Sequence, residues 1–413
     1  MRVLFVHRRF PAQYGRLVRA LAADAANQVV FVASEGPVDV GWITVRRYRR
    51  RRAPAPATHH YLKPFEEAVL DGQAVYRVCA ELRREGFVPD VIAAHCGWGV
   101  MLYLKEAFPE ASLLGYFEWY YRARGADVGF LESGDPGPDE ACRIRTLNAP
   151  LVMGLVDCDR GITPTDFQRR QIPQPLREKV TVLHDGIDTT LFAPSPSERR
   201  EIGGVDLGKA TRIVTYATRG MEPYRGFPQF MQAAALLLEH DPLLHIVIAG
   251  TDTVHYSRRL PGETYKERAL AELPRLDRSR LHFVGRLARD DYLRLLRLSD
   301  AHVYLTVPFV LSWSLLEAMA TGCLVVASDT EPVREVVTEG RNGLLVDLRS
   351  PEAIAAVVRK ALSLGRDGEE LRVAARRTIV SRFALADLLP RHIRLLQSMA
   401  GTGAQKISSL MLA

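Results

Sequence analysis

The stretch RVLFVHRRFPAQYGRLVRALAADAANQVVFVAS, residues 2–34, decides the fold. Its first five residues form a short apolar run, residues 15–25 carry apolar side chains at helical spacing, and residues 28–34 form a second apolar run. Short apolar runs indicate buried strands, and the amphipathic segment between them indicates a crossover helix. The stretch therefore predicts a βαβ unit, the building block of a parallel sheet with helices on both faces.

The same alternation continues along the rest of the chain. The further predicted strands are 90–95, 112–119, 180–187, 212–219, 244–250, 281–285, 301–307, 323–329 and 343–347. Helical periodicity predicts helices over 64–86, 226–240 and 352–364, and Ser350 followed by Pro351 is typical of a helix start. We therefore expect an α/β protein built from two doubly wound, Rossmann-like domains.

The domain boundaries follow from composition. Residues 192–210 are polar and rich in Pro, Gly and Ser, which is typical of a linker. We predict an N-terminal domain over residues 1–195, a C-terminal domain over residues 196–385, and a C-terminal helix over 386–413 that packs back toward the N-terminal domain.

The composition is that of an ordinary globular protein, with 413 residues of which 47% are apolar and 25% charged. Lys and Arg number 55 against 48 for Asp and Glu, and the resulting net charge of +7 favours anionic partners. The five cysteines lack disulfide or zinc-site spacing, so we expect reduced thiols. Neither a signal peptide nor an apolar run of membrane-spanning length is apparent, so the expected location is the cytoplasm, with peripheral contact at the inner face of the cell membrane as an open alternative.

Residues 45–52, VRRYRRRR, place six arginines around Tyr48. A solvated edge is the first interpretation of such a run, and contact with an anionic membrane surface or a charged glycan is the second. Nucleic acid ranks last, because no zinc finger, RRM signature or other recognition module accompanies the run. We therefore predict no nucleic-acid partner.

Candidate site residues in the first domain lie at the carboxyl ends of predicted strands, where open α/β sheets bind ligands. The loop at 7–16 leads from a strand into a helix and lacks the GxGxxG fingerprint of dinucleotide binding, so it indicates either a ligand site or a basic surface loop. His95 ends a later strand, where an imidazole can bind a sugar hydroxyl or orient a reacting one, and a buried core histidine is the alternative. The candidate residues for binding a ligand or acceptor molecule at these strand ends are Arg9, Gln13, Tyr14, Gly15, Glu118 and Trp119.

In the second domain, Arg219 and Arg225 flank a segment that leads from a strand into a helix. Two neighbouring guanidinium groups suit a diphosphate. Another predicted helix has Ser312 and Ser314 near its start, where main-chain amides can bind phosphate oxygens. Glu317, one turn further, could accept hydrogen bonds from two vicinal ribose hydroxyls, or it could be a capping or surface residue.

The second half of the chain resembles the donor-binding half of the retaining GT-B glycosyltransferases of family 4, which use nucleotide diphosphate sugars. The resemblance spans almost the whole chain and is strongest over residues 212–347. The motifs that carry it are Arg219 with Arg225-Gly226, LHFVGRL (281–287), SDAHVYLTVPF (299–309), SLLEAMATGCLVVASD (314–329), EGRNGLLVD (339–347) and, as a hinge-like segment, HDGIDTTLF (184–192).

The resemblance implies that Arg219 and Arg225 hold the diphosphate, that Glu317 binds the ribose hydroxyls and that His95 lies near the transferred sugar. His95 and the two arginines would then be the catalytic residues. The other implied donor-site residues are Gly285, Ser312, Ser314 and Leu315. Phe309 stands eight residues before Glu317, where the family has the first Glu of an E-x7-E motif. This departure leaves the choice of sugar, and turnover itself, open.

The resemblance further implies two Rossmann-like domains facing across a cleft, the first binding the acceptor and the second the nucleotide sugar. We predict a hexosyltransferase that uses a UDP- or GDP-sugar, acts with retention on a glycan or lipid-linked acceptor, and requires no cofactor or metal. The acidic residues 131–140 fit a solvated lid better than a metal site. The alternatives are a sugar-nucleotide epimerase or hydrolase of the same fold, and a non-catalytic protein that binds a sugar nucleotide or glycan.

Overall fold

The computed structural model describes residues 1–131, 135–195 and 199–410, the last nine of these by their backbone alone. Contacts divide the chain into two compact units. The first unit contains Met1–Gly125, Asp135–Gly186 and the chain from Ala386 onward. The second contains Ile187–Leu385 and the described part of Ala126–Gly134.

The first unit is built on a parallel sheet of seven strands in the order β3-β2-β1-β4-β5-β6-β7. The strands are β1 (Arg2–Val6), β2 (Gln28–Ala33), β3 (Thr44–Arg47), β4 (Val91–His95), β5 (Ser112–Tyr116), β6 (Arg160–Thr163) and β7 (Val180–Val182). The helices are α1 (Gly15–Ala22), α2 (Lys63–Arg84), α3 (Leu104–Ala107), α4 (Pro138–Leu147), α5 (Ala149–Asp157), α6 (Asp166–Gln171) and α7 (Gln174–Arg177). The predicted βαβ unit is confirmed, since β1 and β2 pair in parallel with Val3 opposite Val29.

The second unit contains a parallel sheet of six strands in the order β12-β11-β10-β13-β14-β15 and a small antiparallel pair, β8-β9. The strands are β8 (Glu201–Ile202), β9 (Val205–Asp206), β10 (Arg212–Gly220), β11 (Leu244–Thr251), β12 (Leu281–Gly285), β13 (Ala301–Tyr304), β14 (Val325–Ser328) and β15 (Leu344–Val346). The helices are α8 (Phe227–His240), α9 (Tyr265–Glu272), α10 (Arg289–Arg297), α11 (Trp313–Thr321), α12 (Glu331–Arg334), α13 (Pro351–Ser363) and α14 (Arg366–Phe383). Two doubly wound parallel sheets are therefore present, as predicted.

The last helix, α15 (Leu385–Leu410), packs on the first unit. Its residues Leu396 and Met399 are buried among the core side chains that line β1 and β2. The hydroxyl of Ser112 in β5 donates to the main-chain oxygen of Met399 at 2.8 Å. The chain thus leaves the first unit, forms the second and returns.

Each sheet reverses its strand order beside its first long strand. In the first unit β1 lies between β2 and β4, and in the second unit β10 lies between β11 and β13. The connections that leave the two strands on either side of such a reversal pass to opposite faces of the sheet, which leaves a crevice at the carboxyl ends of the strands. This constraint places the candidate site residues of each unit.

The predicted linker at 192–210 is only partly a linker. The hairpin of β8 and β9 lies inside it, and Ile202 and Leu207 are fully buried in the core of the second unit. The predicted boundary at 195/196 adjoins residues 196–198, which lie outside the described residues. By contacts the second unit already begins at Ile187, because the Ile187 amide donates to the Phe383 oxygen at 2.7 Å.

All five cysteines are free thiols, and Cys142 alone among them is exposed. Within the described part of the chain, no helix carries an apolar stretch that is long enough to cross a bilayer. The described acidic residues of the 131–140 loop have protein partners. Arg124 pairs with Asp135, the hydroxyl of Tyr61 donates to Asp139, and Arg143 pairs with Glu140, whereas residues 132–134 of the predicted lid lie outside the described residues.

The arginine run forms the edge strand β3 and the segment after it. Arg46, Arg50 and Arg52 form ion pairs with Glu85, Asp71 and Glu66. Arg47 donates to the main-chain oxygens of Ser34 and Gly36. Most of the run therefore stabilises the edge of the first sheet, and Arg49 and Arg51 lack partners among the described residues.

The pair between Arg50 and Asp71 generates a test of stability. Asp71 is buried, and Arg50 binds both of its oxygens at 2.5 and 2.6 Å. Arg50→Ala would leave a buried carboxylate without its cation, so we expect the free energy of unfolding to fall by about 2 kcal/mol. Urea unfolding followed by circular dichroism measures the change. Arg49→Ala, the exposed neighbour, is the control and should stay within about 0.5 kcal/mol of the wild type; equal effects of both variants would contradict the assignment.

Candidate functional site

His95 lies at the carboxyl end of β4 and is buried, with 4% of its surface exposed. The Gly97 amide donates to its Nδ1 at 2.9 Å, so in the neutral ring the hydrogen belongs on Nε2. Nε2 lies 3.5 Å from a carboxylate oxygen of Glu118. The local turn therefore fixes the ring and directs its N–H toward an acid, which is an arrangement that can hold or pass a proton.

His7, which directly follows β1, lies against His95 with the ring centroids 5.0 Å apart. His7 was not among the predicted site residues, although its position after the first predicted strand was a signal. The Arg9 amide donates to His7 Nδ1 at 2.8 Å. Burial, reinforced by neighbouring His95, lowers the pKa of His7 to about 2, so the imidazole is neutral at physiological pH.

The candidate residues of the loop at 7–16 lie in different environments. Arg9 is engaged by Glu35, its Nε lying 2.7 Å from the carboxylate. Gln13 Nε2 and the Tyr14 hydroxyl are buried and, among the described residues, have no hydrogen-bond partner. Gly15 begins α1, where an added Cβ would lie 3.1 Å from Pro11. The Tyr14 ring lies 6.2 Å from the His7 ring, centroid to centroid, and a hydroxyl-bearing ligand or a water would satisfy its unpaired hydroxyl.

Trp119, one of the predicted acceptor residues, is turned away from the site. It is 7% exposed and packs against Phe167 at a centroid distance of 5.8 Å, because the chain beyond β5 turns its side chain into the core. Trp98 takes that place. It is 40% exposed, adopts a left-handed backbone with φ of 59° and stacks on His95 at 4.8 Å. Glu118 stays at the rim beside His95, as described above.

The two arginines of the second unit lie at the end of β10. Arg219 is exposed, and its guanidinium has no partner among the described residues. Arg225 is 9% exposed, and its Nη1 donates to the Thr306 hydroxyl at 2.8 Å and to the Val310 oxygen at 3.3 Å. No described carboxylate lies within ion-pair distance of either residue. A buried cation with only neutral partners favours an anionic ligand.

Gly226 makes this placement of Arg225 feasible. Its φ of 65° turns the chain from Arg225 into α8. An added Cβ would lie 2.6 Å from the Cβ of Leu305, the residue after β13. The turn therefore requires glycine for its backbone conformation and for its close contact.

Phe309 lies in an aromatic cluster with Tyr224 and Tyr256, at centroid distances of 5.5 and 5.0 Å. Tyr256 is 40% exposed, and the Arg225 guanidinium lies 5.4 Å from its ring centroid. The loop that carries Tyr256 is held by Glu222, whose buried carboxylate accepts hydrogen bonds from three successive amides, at His255, Tyr256 and Ser257. The sequence did not predict this aromatic cluster, because loop 255–257 is distant in sequence from Phe309.

The start of α11 has the predicted form. Ser312 is its N-cap and accepts a hydrogen bond from the Ser314 amide at 3.3 Å. The Leu315 side chain is fully buried in the core, so a donor contact at this position would be made by its main chain. Gly285 ends β12 with a φ of 66° and open space where a Cβ would lie. The strand ends β10, β12 and β13 thus bring the arginines and the α11 start to one edge of the sheet.

Glu317 lies one turn inside α11 and is largely buried. The Tyr292 hydroxyl donates to its Oε2 at 3.0 Å, and no ion pair holds it among the described residues. Burial raises the pKa of Glu317 to about 7, and the bond from Tyr292 and the charge of Arg289 oppose this shift only in part. A desolvated carboxyl with a free oxygen is suited to accept hydrogen bonds from a diol.

The raised pKa of Glu317 gives a prediction about pH. The folded state binds this proton more tightly than the unfolded state, so the wild type should lose about 2–3 kcal/mol of stability as pH rises from 4.5 to above 7. Glu317→Gln lacks this loss. In thermal unfolding it should match the wild type near pH 5 and unfold several degrees higher at pH 8. Glu239→Gln, an exposed change on α8, is the control; a pH-independent effect of Glu317→Gln would overturn this account.

Two glycosyltransferase family models match this chain, one after the other. The family model "Glycosyl transferase family 4 group" matches residues 25–192, and "Glycosyl transferases group 1" matches residues 204–378. A phosphatidyl-myo-inositol mannosyltransferase of Mycobacterium tuberculosis is 28% identical over 250 residues, which is 59% of this chain and 61% of that protein. A D-inositol 3-phosphate glycosyltransferase of Corynebacterium glutamicum is 29% identical over 203 residues, 48% of this chain and 45% of that protein. Both matches span less than two thirds of the relatives' length.

Solved structures match over nearly the whole chain. Anabaena Alr3699/HepE in complex with UDP and glucose has a TM-score of 0.70 at 18% identity and covers 96% of this chain and all of its own. Sucrose-phosphate synthase from Thermosynechococcus elongatus has a TM-score of 0.73 at 17% identity, over 97% of this chain and all of its own. The two matching families follow one another along the chain, and its two doubly wound sheets agree with these structures. The chain therefore consists of two consecutive segments that each match a glycosyltransferase family model, and it has the GT-B fold.

Proposed function

We propose that this protein transfers a hexosyl group from a UDP- or GDP-sugar to a hydroxyl of a glycan or lipid-linked acceptor, with retention. The observation that carries the proposal is Arg225, a buried cation whose described partners are all neutral. A nucleotide diphosphate would supply the missing charge, with Arg219 beside it and Glu317 available to a ribose. The mannosyltransferase relative and the UDP complex of Alr3699/HepE support a nucleotide-sugar donor.

The proposed chemistry needs stabilisation of a leaving diphosphate. The bond between the anomeric carbon and the diphosphate oxygen breaks, and the electron pair stays on the diphosphate. Arg219, Arg225 and the amides at the start of α11 would stabilise this charge as it develops. The acceptor oxygen bonds to the anomeric carbon on the same face, and its proton passes to the departing phosphate. No side-chain nucleophile is required for this front-side route.

The acceptor would bind near His95, at the carboxyl end of β4. We assign His95 a role in orienting the reacting groups, with Glu118, Gln13 and the Tyr14 hydroxyl as acceptor contacts. Two relatives act on inositol-containing compounds by their names, which supports a hydroxylated, lipid-linked or anionic acceptor. The unpaired Arg49 and Arg51 are where peripheral contact with an anionic membrane surface would occur. The cytoplasm remains the proposed location.

Titration of the full chain with UDP, GDP, ADP and dTDP tests the donor assignment. A nucleotide that binds only the folded protein should stabilise it by about 2.7 kcal/mol at 100 times Kd. Arg219→Ala should weaken the affinity of that nucleotide by about 10-fold or more, because a charge-assisted phosphate contact is lost. Calorimetry measures the affinity. Arg359→Ala is the matched control, since Arg359 is exposed on α13 in a groove with Arg212, at the opposite end of β10.

The outcomes separate the alternatives. Absence of stabilisation by any of the four nucleotides would reject the donor site. Binding followed by donor consumption without an acceptor would indicate an epimerase or a hydrolase. Binding with no turnover under any condition would favour a non-catalytic sugar-nucleotide protein.

His95→Ala separates transfer from nucleotide binding. His95 lies in the first unit, whereas both arginines lie in the second. We therefore expect transfer to fall by about 100-fold, within the range of general acid-base contributions, while nucleotide affinity stays unchanged. Initial rates with the identified donor and calorimetry with the free nucleotide give the two values. Equal losses in both would show that His95 acts through structure.

A further inference from the structure

Asp127 lies in a short segment that contributed none of the predicted site residues. Although it lies between residues of the first unit along the chain, the segment that begins at Ala126 contacts the second unit. Two contacts attach it there. The Tyr224 hydroxyl donates to Asp127 Oδ2 at 2.7 Å, and the Arg349 guanidinium lies 5.4 Å from the Phe130 ring centroid. Asp127 is therefore a carboxylate added to the second unit from a distant part of the chain.

One oxygen of this carboxylate is unsatisfied. Asp127 is 8% exposed, and its Oδ1 is buried without a hydrogen-bond partner among the described residues. Burial raises the pKa of Asp127, and the hydrogen bond from the Tyr224 hydroxyl, with smaller contributions from the main-chain amides of Asp127 and Val128, opposes that shift only in part. No arginine or lysine of the described chain forms an ion pair with it. A buried carboxylate oxygen that lacks a donor costs free energy, which a hydroxyl-bearing ligand would recover.

The neighbours of Asp127 belong to the candidate donor site. The Tyr224 ring packs edge-on against Phe309, and Phe309 packs against Tyr256, over which Arg225 lies. Phe309 and the tyrosine rings supply apolar faces but no carboxylate, and Arg219 and Arg225 supply only donors. A hexose carries several hydroxyl donors and needs acceptors. Among the described residues of this aromatic and cationic group, Asp127 Oδ1 is the carboxylate oxygen near Phe309 that can accept a hydrogen bond.

We infer that Asp127 Oδ1 accepts a hydrogen bond from a hydroxyl of the hexose in the nucleotide sugar and so determines which hexose is used. Tyr224 is a positioning residue, because its hydroxyl holds the other oxygen of the same carboxylate. Phe309 supplies an apolar wall to the cluster. The inference rests on the proposed donor function and names the residue that recognises the sugar.

The test compares a nucleotide with its sugar. Full-length wild type and Asp127→Asn are titrated with UDP and UDP-glucose, and with GDP and GDP-mannose. Because free nucleotides lack the hexose, Asp127→Asn should leave their affinity unchanged and weaken the matching nucleotide sugar by about 10- to 100-fold. Tyr224→Phe should produce a smaller loss in the same direction. Asp277→Asn is the matched control, since Asp277 pairs with Arg280 just before β12, away from Gly285 at its other end.

Thermal unfolding without ligand shows that the variants fold. Asp127→Asn removes a desolvated charge, so its melting temperature should not fall. A second arm uses Phe309→Glu together with Asp127→Asn, which should recover part of the lost sugar affinity by supplying a carboxylate from the same cluster. Recovery supports the inference. Failure of the double variant to bind the sugar better than Asp127→Asn counts against it.

The two proposals fail separately. If the wild type binds none of the four ligands, the donor function is wrong and the role of Asp127 falls with it. If a nucleotide binds and Arg219→Ala weakens it, the donor function stands. An Asp127→Asn variant that then binds nucleotide and nucleotide sugar as the wild type does, or weakens both equally, overturns the role of Asp127 alone.

Discussion

The reversal of strand order in each sheet is the constraint on which the rest of the structure depends. Beside β1 in the first unit and beside β10 in the second, helices diverge to opposite faces and leave the strand ends open. The interior residues of these strands are mostly buried apolar side chains, which carry no group that could take part in chemistry. Polar groups are therefore concentrated where the strands end, at His7 and His95 in one sheet and at Arg219 in the other.

Charge is distributed differently in the two units. In the first, three of the six arginines of the run pair with acids on or just after α2 and so hold the edge strand in place. In the second unit, Arg219 and Arg225 form no ion pair with a described acid. The buried carboxylate of Glu222 accepts hydrogen bonds from three main-chain amides instead. That use of Glu222 fixes a loop without neutralising Arg225. The second unit thus retains uncompensated positive charge where an anion can bind.

The sequence predicted the fold class and most strands, because buried parallel strands are short apolar runs, and the candidate site residues were proposed from the carboxyl ends of those runs. It failed where tertiary contacts outweigh local pattern. The edge strand β3 is hidden in an arginine run because its charged side chains face solvent, and the β8-β9 hairpin is too short to show periodicity. Trp119 and Asp127 illustrate the same limit for the site. One is turned inward and the other is recruited by Tyr224, and neither event has a local signature.

The return of α15 to the first unit has a consequence for the order in which this protein can fold during synthesis. The ribosome releases Met1–Gly186 first, then Ile187–Leu385, which makes up most of the second unit, and only then the helix whose Leu396 and Met399 pack into the first core. The second unit can therefore close while the first still has an open apolar face. A nascent chain halted before α15 would present that face to chaperones, and the synthesis of α15 would end this exposure.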